Sequence, residues 1–407
     1  MNYVEVAIPF FILAMGVEYL YGRLVKKNTY RLSDTVNSLQ LGVLSRLVDI
    51  LRLGFGSVVF GALVKWIGVP QWSMESAWQW VVAFVAYDFC YYWKHRFGHE
   101  WRIMWASHIA HHQSEEFNLS TALRQTGTDY IGFVFYIPLF LAGVPAPVVV
   151  TVGSLNLIYQ FWVHTEHIRR LGPLEWIFVT PSNHRVHHAR NPEYIDKNYG
   201  GVFILWDRLF GTFKDERADM PCIYGITTGL KSWNPLWANF HFWTDTARLA
   251  WRTRKWGDKF RIWFKPPGWV PSDLGPYKPV DPNYPKFDPP TSAFTRTYIF
   301  VQFWLLTAAS LWLLQVEKDL PRAFVLLLFA WMCFSLFVQG VWLEGRAFAR
   351  KLEWVRIALT LALAIVAWLG WPQSLMQIAF VLAVYSVASA AAMGVERMLP
   401  SARLTPA

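Results

Sequence analysis

Histidine is concentrated in one stretch of this 407-residue chain. Between Trp93 and Gln113 lie five of the eleven histidines, arranged as one His-x-x-x-His pair and one His-x-x-His-His group. Residues three or four apart lie on one face of an α-helix, so each group should present its imidazoles together. Imidazole is the commonest metal ligand, and the spacing therefore predicts a metal site. The five residues are His95, His99, His108, His111 and His112.

Five more histidines lie in two later motifs. PSNHRVHHAR repeats the His-x-x-His-His spacing, and QFWVHTEH closes an apolar run. Any single one could serve packing alone, but the repeated spacing argues against that reading for the set. A structural zinc site closes with four ligands, so eight or nine imidazoles suit two metal ions with positions open for oxygen. The added ligands are His164, His184, His187 and His188, and His167 and His241 are left out.

The identity of the metal follows from the ligand type. Nitrogen-rich ligation without thiolates favours iron over calcium or magnesium, and it leaves zinc, copper and manganese open. The three cysteines, Cys90, Cys222 and Cys333, are far apart and form no Cys-x-x-Cys motif. They predict neither a disulfide framework nor a zinc ribbon.

The composition is that of an integral membrane protein. The chain is 54% hydrophobic, contains 24 Trp, and has a mean hydropathy of +0.23. These values exclude an ordinary soluble domain. The net charge of +10 is better explained by basic loops on the cytoplasmic side of a membrane than by nucleic acid.

The apolar runs predict about nine membrane crossings, with an interfacial helix at Arg31–Leu51. The positive-inside rule places the N-terminus outside, and the histidines then arrive at the cytoplasmic face. A loop with Arg346, Arg350, Lys351 and Arg356 should lie inside for the same reason. The crossings are Tyr3–Tyr21, Leu53–Val69, Ala77–Trp93, the hairpin Tyr130–Leu141 and Pro147–Val163, Ala293–Gln315, Ala323–Val341, Ile357–Trp371 and Leu375–Met393.

We therefore predict an all-α integral membrane protein, a helical transmembrane bundle with a cytoplasmic-facing, histidine-rich di-metal site and a cap. Residues 1–164 form the N-terminal transmembrane helices with the first histidine motifs. Residues 165–292 form a cytoplasmic cap with the last motif, and residues 293–407 form a four-helix transmembrane region.

Within the cap, Arg248–Trp269 interleaves basic and aromatic residues, which predicts a helix lying on an anionic membrane surface. Single-stranded nucleic acid is the rival ligand. It is set aside because such binders need an exposed groove, and a transmembrane anchor is not expected of them.

Two carboxylates are candidates to orient the histidines and are our predicted catalytic residues. Asp88 lies in an apolar span, where an ionisable group is costly, and it comes two helical turns before His95. Glu100 directly follows His99. A ligating imidazole commonly donates its second N–H to such an acceptor. A packing hydrogen bond for Asp88 and a solvated charge for Glu100 are the ordinary alternatives. Asp196, Asn198 and Asp207 are expected to hold turns of the cap.

Four segments resemble the membrane fatty acid hydroxylase and sterol desaturase superfamily, and within it they look most like the alkylglycerol monooxygenase branch. They are KHRFGHE, WASHIAHHQSEEFNLSTALRQ, YQFWVHTE and PSNHRVHHARNPEYIDKNYGGVFILWDRLFGTF. The resemblance runs from about Asp34 to Pro271. It implies a di-iron oxygenase whose irons are bound by eight histidines, with His164 as a ninth ligand. The eight are His95, His99, His108, His111, His112, His184, His187 and His188. It also implies an acidic residue at Glu100 and, for this branch, tetrahydrobiopterin.

The resemblance implies hydroxylation of a lipid C–H bond with O2, with cleavage of an alkylglycerol ether as one outcome. Sterol, fatty acid or carotenoid hydroxylation and desaturation stay open. A different class, a histidine-rich metal-binding membrane protein or transporter, is disfavoured because no internal repeat is visible.

The expected partners are a bilayer lipid, O2 and an external electron donor, without nucleic acid. The donor must be external because the chain has no Rossmann fingerprint and no Cys-x-x-Cys-His motif. The expected location is the cell inner membrane in a bacterium or the endoplasmic reticulum in a eukaryote. The sequence leaves the electron donor and the oligomeric state open.

Overall fold

The computed structural model describes residues 3–51, 68–275, 283–370 and 375–398, and only residues 61, 62, 64 and 66 between 51 and 68. Over these residues the secondary structure is helical and no β-strand forms. Three isolated antiparallel bridges occur, namely Phe178 with Phe203, Ala189 with Tyr224 and Arg217 with Met220. The all-helical class is confirmed.

The described helices vary in length from 4 to 24 residues, or from about one turn to nearly seven. In chain order they are α1 (Tyr3–Leu24), α2 (Leu32–Leu47), α3 (Ala77–Glu100), α4 (Arg102–His112), α5 (Leu119–Ala122), α6 (Ile137–Leu141), α7 (Ala146–Trp162), α8 (Pro181–His188), α9 (Leu205–Leu209), α10 (Pro235–Arg252), α11 (Trp256–Arg261), α12 (Ala293–Val316), α13 (Arg322–Leu343), α14 (Ala349–Gly370) and α15 (Met376–Met398). Short 3-10 helices occupy Val48–Leu51, Gly132–Tyr136, Gly172–Trp176, Ile262–Phe264 and Ser272–Leu274.

Contacts group the chain into two compact units. The first comprises residues 1–30, 53–230 and 239–285, and the second comprises residues 31–52, 231–238 and 286–407. In the first unit, α3 packs against α4 and α7, and α1 packs against α7. The predicted division into three consecutive segments concerns membrane placement and stays a prediction.

Two of the helices that carry histidine motifs, α3 and α8, begin at local capping signals. Ser76 precedes α3, and its backbone N–H donates to the side chain of Gln79 at 3.1 Å. Thr180 precedes α8, whose first residue is a proline, and its backbone N–H donates to Asn183 at 3.1 Å. Polar capping thus fixes where these two helices begin, and with that the positions of their histidines.

The second unit is built from long apolar helices, with α12 against α13 and α14 against both α13 and α15. Leu306, Phe324 and Leu336 belong to its buried core. The prediction that Arg350, Lys351 and Arg356 lie in a loop was wrong, because all three residues belong to α14. Because α14 begins at Ala349 rather than Ile357, Arg356 lies inside the helix and is only 1% exposed.

Arg356 is tolerated in this apolar core because its guanidinium is fully engaged. It donates to Glu353 at 2.8 Å, to the Tyr385 hydroxyl at 2.6 Å and to Gln302 at 3.2 Å. A buried charge is costly unless it is paired and hydrogen-bonded, and both conditions are met here.

Five described helices are long and apolar enough to cross a membrane: Val6–Leu24, Ala293–Val316, Arg322–Leu343, Ala349–Leu369 and Met376–Glu396. Two shorter apolar helices cover Gly132–Leu141 and Ala146–Trp162, where the hairpin was predicted. The chain is therefore an integral membrane protein. The predicted crossing at Leu53–Val69 lies mostly outside the described residues.

Candidate metal centre

The fold of the first unit brings all nine predicted histidine ligands together in two groups. In each group, the ligand atoms lie within 4.8 Å of one another. The five-histidine group contains His95, His99, His108, His112 and His187, and the four-histidine group contains His111, His164, His184 and His188. Seven of the nine side chains are buried, and His108 and His111 are partly buried.

Each His-x-x-His-His motif is divided between the two groups. In α4, His108 and His112 point into the five-histidine group, whereas His111 joins the four-histidine group. In α8, His184 and His188 belong to the four-histidine group, whereas His187 belongs to the five-histidine group. We had expected each motif to form one coplanar set. The structure corrects this: neighbouring residues of a helix project about 100° apart, and in both motifs the i, i+4 pair enters one group while the histidine between them enters the other.

Burial keeps the imidazoles neutral. It lowers the pKa of His187 to about 3 and that of His111 to about 4, because a charged ring would lose its hydration. A metal binds the lone pair of a neutral imidazole, so protonation would compete with ligation. These histidines are therefore ready for a metal at neutral pH.

Backbone carbonyls orient four of the rings through Nδ1. The Nδ1 of His95 lies 2.7 Å from the Tyr199 carbonyl, and that of His187 lies 3.0 Å from the Lys197 carbonyl. The other two carbonyls belong to Arg124, 2.9 Å from His111 Nδ1, and Gln160, 2.8 Å from His164 Nδ1. A carbonyl can only accept, so the proton of these neutral rings is on Nδ1 and Nε2 carries a lone pair.

The Nε2 atoms fit a cation between them. Those of His111 and His164 lie 3.3 Å apart, and both carry lone pairs by the argument above, so they repel each other unless a positive ion separates them. His95 and His108 approach to 3.0 Å, about the spacing of two ligands at right angles and about 2.1 Å from one ion. The buried Nε2 atoms of His99 and His187 have no hydrogen-bond partner among the described residues.

Asp88 is buried two helical turns before His95, but the hydrogen-bond partners described for it are not histidines. Within the described chain, its oxygens accept from the Asn156 side chain at 2.6 Å and from the backbone N–H groups of Val202 at 2.8 Å and Phe203 at 3.0 Å. The Trp206 indole donates a fourth bond at 2.9 Å. Asp88 thus holds the segment that follows Tyr199, whose carbonyl orients His95.

Asp207 holds the other end of the same segment. It accepts from the backbone N–H groups of Tyr199 and Gly200 and from the Thr212 hydroxyl, each at 2.7 Å. Burial raises the pKa of Asp207 to about 6. Asn198, at φ +57°, donates to the carbonyls of Asn183 and Lys214, so the expected turn-holding residues do lie in this segment.

Glu100 lies at the partly exposed end of α3. It accepts from Arg96, one turn earlier, at 2.8 Å, and 35% of its side chain is exposed. The carboxylate nearest to His99 is instead Asp196, whose Oδ1 lies 3.5 Å from His99 Nδ1. Burial raises the pKa of Asp196 to about 6. The two excluded histidines lie apart from both groups: His167 packs on Tyr21, and His241 lies 3.5 Å from Gln113.

Glu18, a buried carboxylate in the membrane helix α1, was not predicted as a functional residue from the sequence. It accepts from the Tyr30 hydroxyl and from the backbone N–H of Leu119 at 2.8 Å. It also accepts from the hydroxyl of Thr165, the residue after His164. An ionisable residue inside an apolar span is the signal that could have identified it. Glu18 attaches α1 to the loop that carries one of the histidines.

We expect Glu18→Leu to destabilise the protein by about 1–3 kcal/mol, because it leaves the buried Leu119 N–H unsatisfied. Glu18→Gln should cost much less, since its oxygen can keep that bond and its amide can donate to the Thr165 hydroxyl. Thermal unfolding of the purified protein, followed by circular dichroism, measures the difference. Equal midpoints for the two variants would contradict this role.

The chain is similar to known lipid oxygenases. The fatty acid hydroxylase family model matches residues 80–212, which include all nine histidines. An alkylglycerol monooxygenase of Danio rerio is 37% identical, and one of Homo sapiens is 38% identical. Each match covers 89% of this chain and 82% of the relative. An ornithine lipid hydroxylase of Rhizobium tropici is 33% identical over 39% of this chain and 47% of its own length. No solved structure matches the chain.

Proposed function

This chain belongs to the alkylglycerol monooxygenase family and is a membrane lipid monooxygenase, and we propose that it cleaves ether lipids with two iron ions. The observation that carries the proposal is the pair of histidine groups, in which imidazole Nε2 atoms face one another at about 3 Å. The names of the relatives supply the ether-lipid class of substrate. A transporter is disfavoured because these relatives are oxygenases.

The five-histidine group would hold one iron and the four-histidine group the other. When bound, iron supplies the activation of O2 needed to attack an unreactive C–H bond. The chain itself supplies the fixed imidazole orientation, through the carbonyls of Tyr199, Lys197, Arg124 and Gln160. It also supplies burial, which keeps the rings neutral and excludes water.

In this proposal Asp88 is a positioning residue, because it holds the segment whose Tyr199 carbonyl orients His95. Asp207 shares that role at the other end of the segment. Glu100 stays a proposed contributor through its position beside His99.

The proposed reaction inserts one oxygen atom of O2 into the C–H bond next to the ether oxygen. The second oxygen atom leaves as water, with two electrons and two protons from an external donor. The hydroxylated carbon is then a hemiacetal, which breaks into an aldehyde and an alcohol. Tetrahydrobiopterin is the proposed donor, on the family resemblance alone.

We propose nine membrane crossings with the histidine groups at the cytoplasmic face. Five candidate spans and two shorter apolar helices support this count, and the basic residues of the loops support the orientation. A lipid substrate would then reach the site from the bilayer.

The reaction class is tested with purified protein in nanodiscs. We expect an aldehyde to form from an alkylglycerol only when O2 and the reductant are both present, with one oxygen atom from 18O2 in the products. A glycerol ester of the same chain length is the matched control and should give no aldehyde. Turnover without O2 would contradict the monooxygenase reaction, and activity with ferredoxin but not with tetrahydrobiopterin would remove the pterin.

A further inference from the structure

The Arg248–Trp269 segment of the first unit exposes large aromatic side chains that the histidine site does not use. Trp251 is 86% exposed, Trp256 75%, Phe260 68% and Phe264 57%. The last three follow one another at intervals of four residues along α11 and the 3-10 helix after it, so they share one side of this stretch. Exposed aromatic residues in this arrangement mark an interaction surface.

The same segment is strongly basic. It contains seven Lys or Arg residues against one acid, Asp258, which is buried and 3.4 Å from Arg261, giving a net charge of +6. The seven basic residues are Arg248, Arg252, Arg254, Lys255, Lys259, Arg261 and Lys265. The surface therefore suits a partner that is both apolar and negatively charged.

Internal hydrogen bonds hold the segment in shape. Asp273 accepts from the Thr253 hydroxyl at 2.9 Å and from the backbone N–H of Arg254 at 2.8 Å. Lys259 donates from α11 to the carbonyl of Trp251 at 2.9 Å. The exposed aromatic residues are thus held outward by folded structure, which lowers the entropy lost on docking.

The end of the segment is fixed to the start of the histidine helix α4. The Arg102 backbone N–H donates to the Lys265 carbonyl at 2.9 Å, and its guanidinium donates to the Trp269 carbonyl at 2.6 Å. Arg102 is buried, at 3% exposure. The segment therefore moves with the helix that carries three of the histidines.

A chain of aromatic contacts also leads from the segment to an apolar helix. The ring of Phe264 lies 6.0 Å from that of Trp101, which lies 4.3 Å from Phe97. Phe97 in turn lies 5.5 Å from Phe135, within the apolar stretch Gly132–Leu141. Exposed aromatic residues that continue into an apolar helix are typical of a protein surface at the headgroup level of a bilayer.

We propose that Arg248–Trp269 docks on the anionic surface of the bilayer, with its aromatic rings among the headgroups and its basic residues on lipid phosphates. Charge complementarity selects anionic lipid over neutral lipid. A single-stranded nucleic acid also combines charge with stacking, but it requires a groove that tracks its backbone. The docking does not depend on the reaction proposed above, so its failure leaves that reaction standing.

The test places a reporter in the segment of the full-length protein. A Cβ added at Gly257 would meet no other heavy atom within 4 Å, so Gly257→Cys is a suitable site for an environment-sensitive fluorophore. We expect a blue shift and protection from iodide quenching in nanodiscs that contain phosphatidylglycerol, compared with pure phosphatidylcholine. Labelled protein without Gly257→Cys corrects for the three native cysteines. The control reporter Asp219→Cys, on a side chain that is 69% exposed, should show no difference.

The charge dependence is tested with Arg252→Gln/Arg254→Gln/Lys255→Gln, which should weaken docking by on the order of tenfold or more. The matched control Arg169→Gln/Lys214→Gln/Arg217→Gln removes the same charge elsewhere and should leave docking unchanged. Equal quenching in both kinds of nanodisc, or equal loss in both triple variants, would overturn the proposal. So would protection of the reporter by a single-stranded oligonucleotide in neutral nanodiscs at the same salt concentration.

Discussion

His111→Ala and His187→Ala should each abolish O2-dependent turnover while the protein stays folded in the membrane. Each variant removes one imidazole, from the four-histidine and the five-histidine group respectively. Metal affinity should fall at least about 10- to 100-fold, since even the loss of a residue that only orients a ligand has that effect. The apolar helices insert without the metal, so expression should change little. Iron content per chain, measured on purified protein, should be close to two in the wild type and clearly lower in both variants.

His241→Ala is the matched control, because this histidine lies outside both groups. It should keep its iron and its activity. If the motif histidines served packing only, the two motif variants would instead lose expression and the iron content would not depend on them. Equal iron in all three variants would defeat the assignment of ligands.

Asp88→Asn should lower both stability and iron content, although it only replaces one carboxylate oxygen with an NH2 group. All four groups bonded to Asp88 are N–H donors, two to each oxygen. Whichever way the new amide turns, its NH2 faces two donors, and two buried hydrogen bonds are lost. At about 1–3 kcal/mol for each unsatisfied group, a loss of roughly 2–6 kcal/mol follows. Thermal unfolding and iron analysis of the purified variant measure the two effects.

Glu100→Gln is the comparison that separates the two predicted carboxylates. Glu100 is partly exposed and pairs with Arg96 one turn away, and such a pair contributes about 0–1 kcal/mol. We expect a small change in stability and retained iron. A Glu100→Gln variant that lost activity with its iron intact would instead support a direct role in the reaction. An Asp88→Asn variant as stable as the wild type would refute the positioning role.

The clustering of the nine histidines was predictable in part from the sequence, because helical geometry links the spacing of residues to the direction of their side chains. His95 with His99, and His108 with His112, are i, i+4 pairs, and each pair enters one group. The assignment of His111 to the other group was not predictable. It depends on which neighbouring helix faces that side of α4, and this is a matter of packing between distant parts of the chain.

The backbone carbonyls and carboxylates that orient the histidines could hardly be predicted from the sequence. Every residue has a backbone carbonyl, so nothing marks those of Tyr199 or Gln160 as the acceptors. Asp88 carried a signal, a carboxylate in an apolar run, but the signal did not reveal its partners. Arg356 was placed in a loop because a basic residue at the edge of an apolar run reads as the end of the span. Its partner Glu353, three residues earlier in the same helix, offsets the free energy that burial of the charge costs.

If each group holds an ion as proposed, the division of each His-x-x-His-His motif between the two groups would couple metal binding at one group to metal binding at the other. α4 and α8 both carry ligands for both groups, so an ion bound in either group restrains the two helices that the second ion needs. The second ion then binds an ordered set of ligands and loses less conformational entropy, which is positive cooperativity. Partly loaded protein would be scarce, and the chain would pass from metal-free to fully loaded over a narrow range of iron concentration.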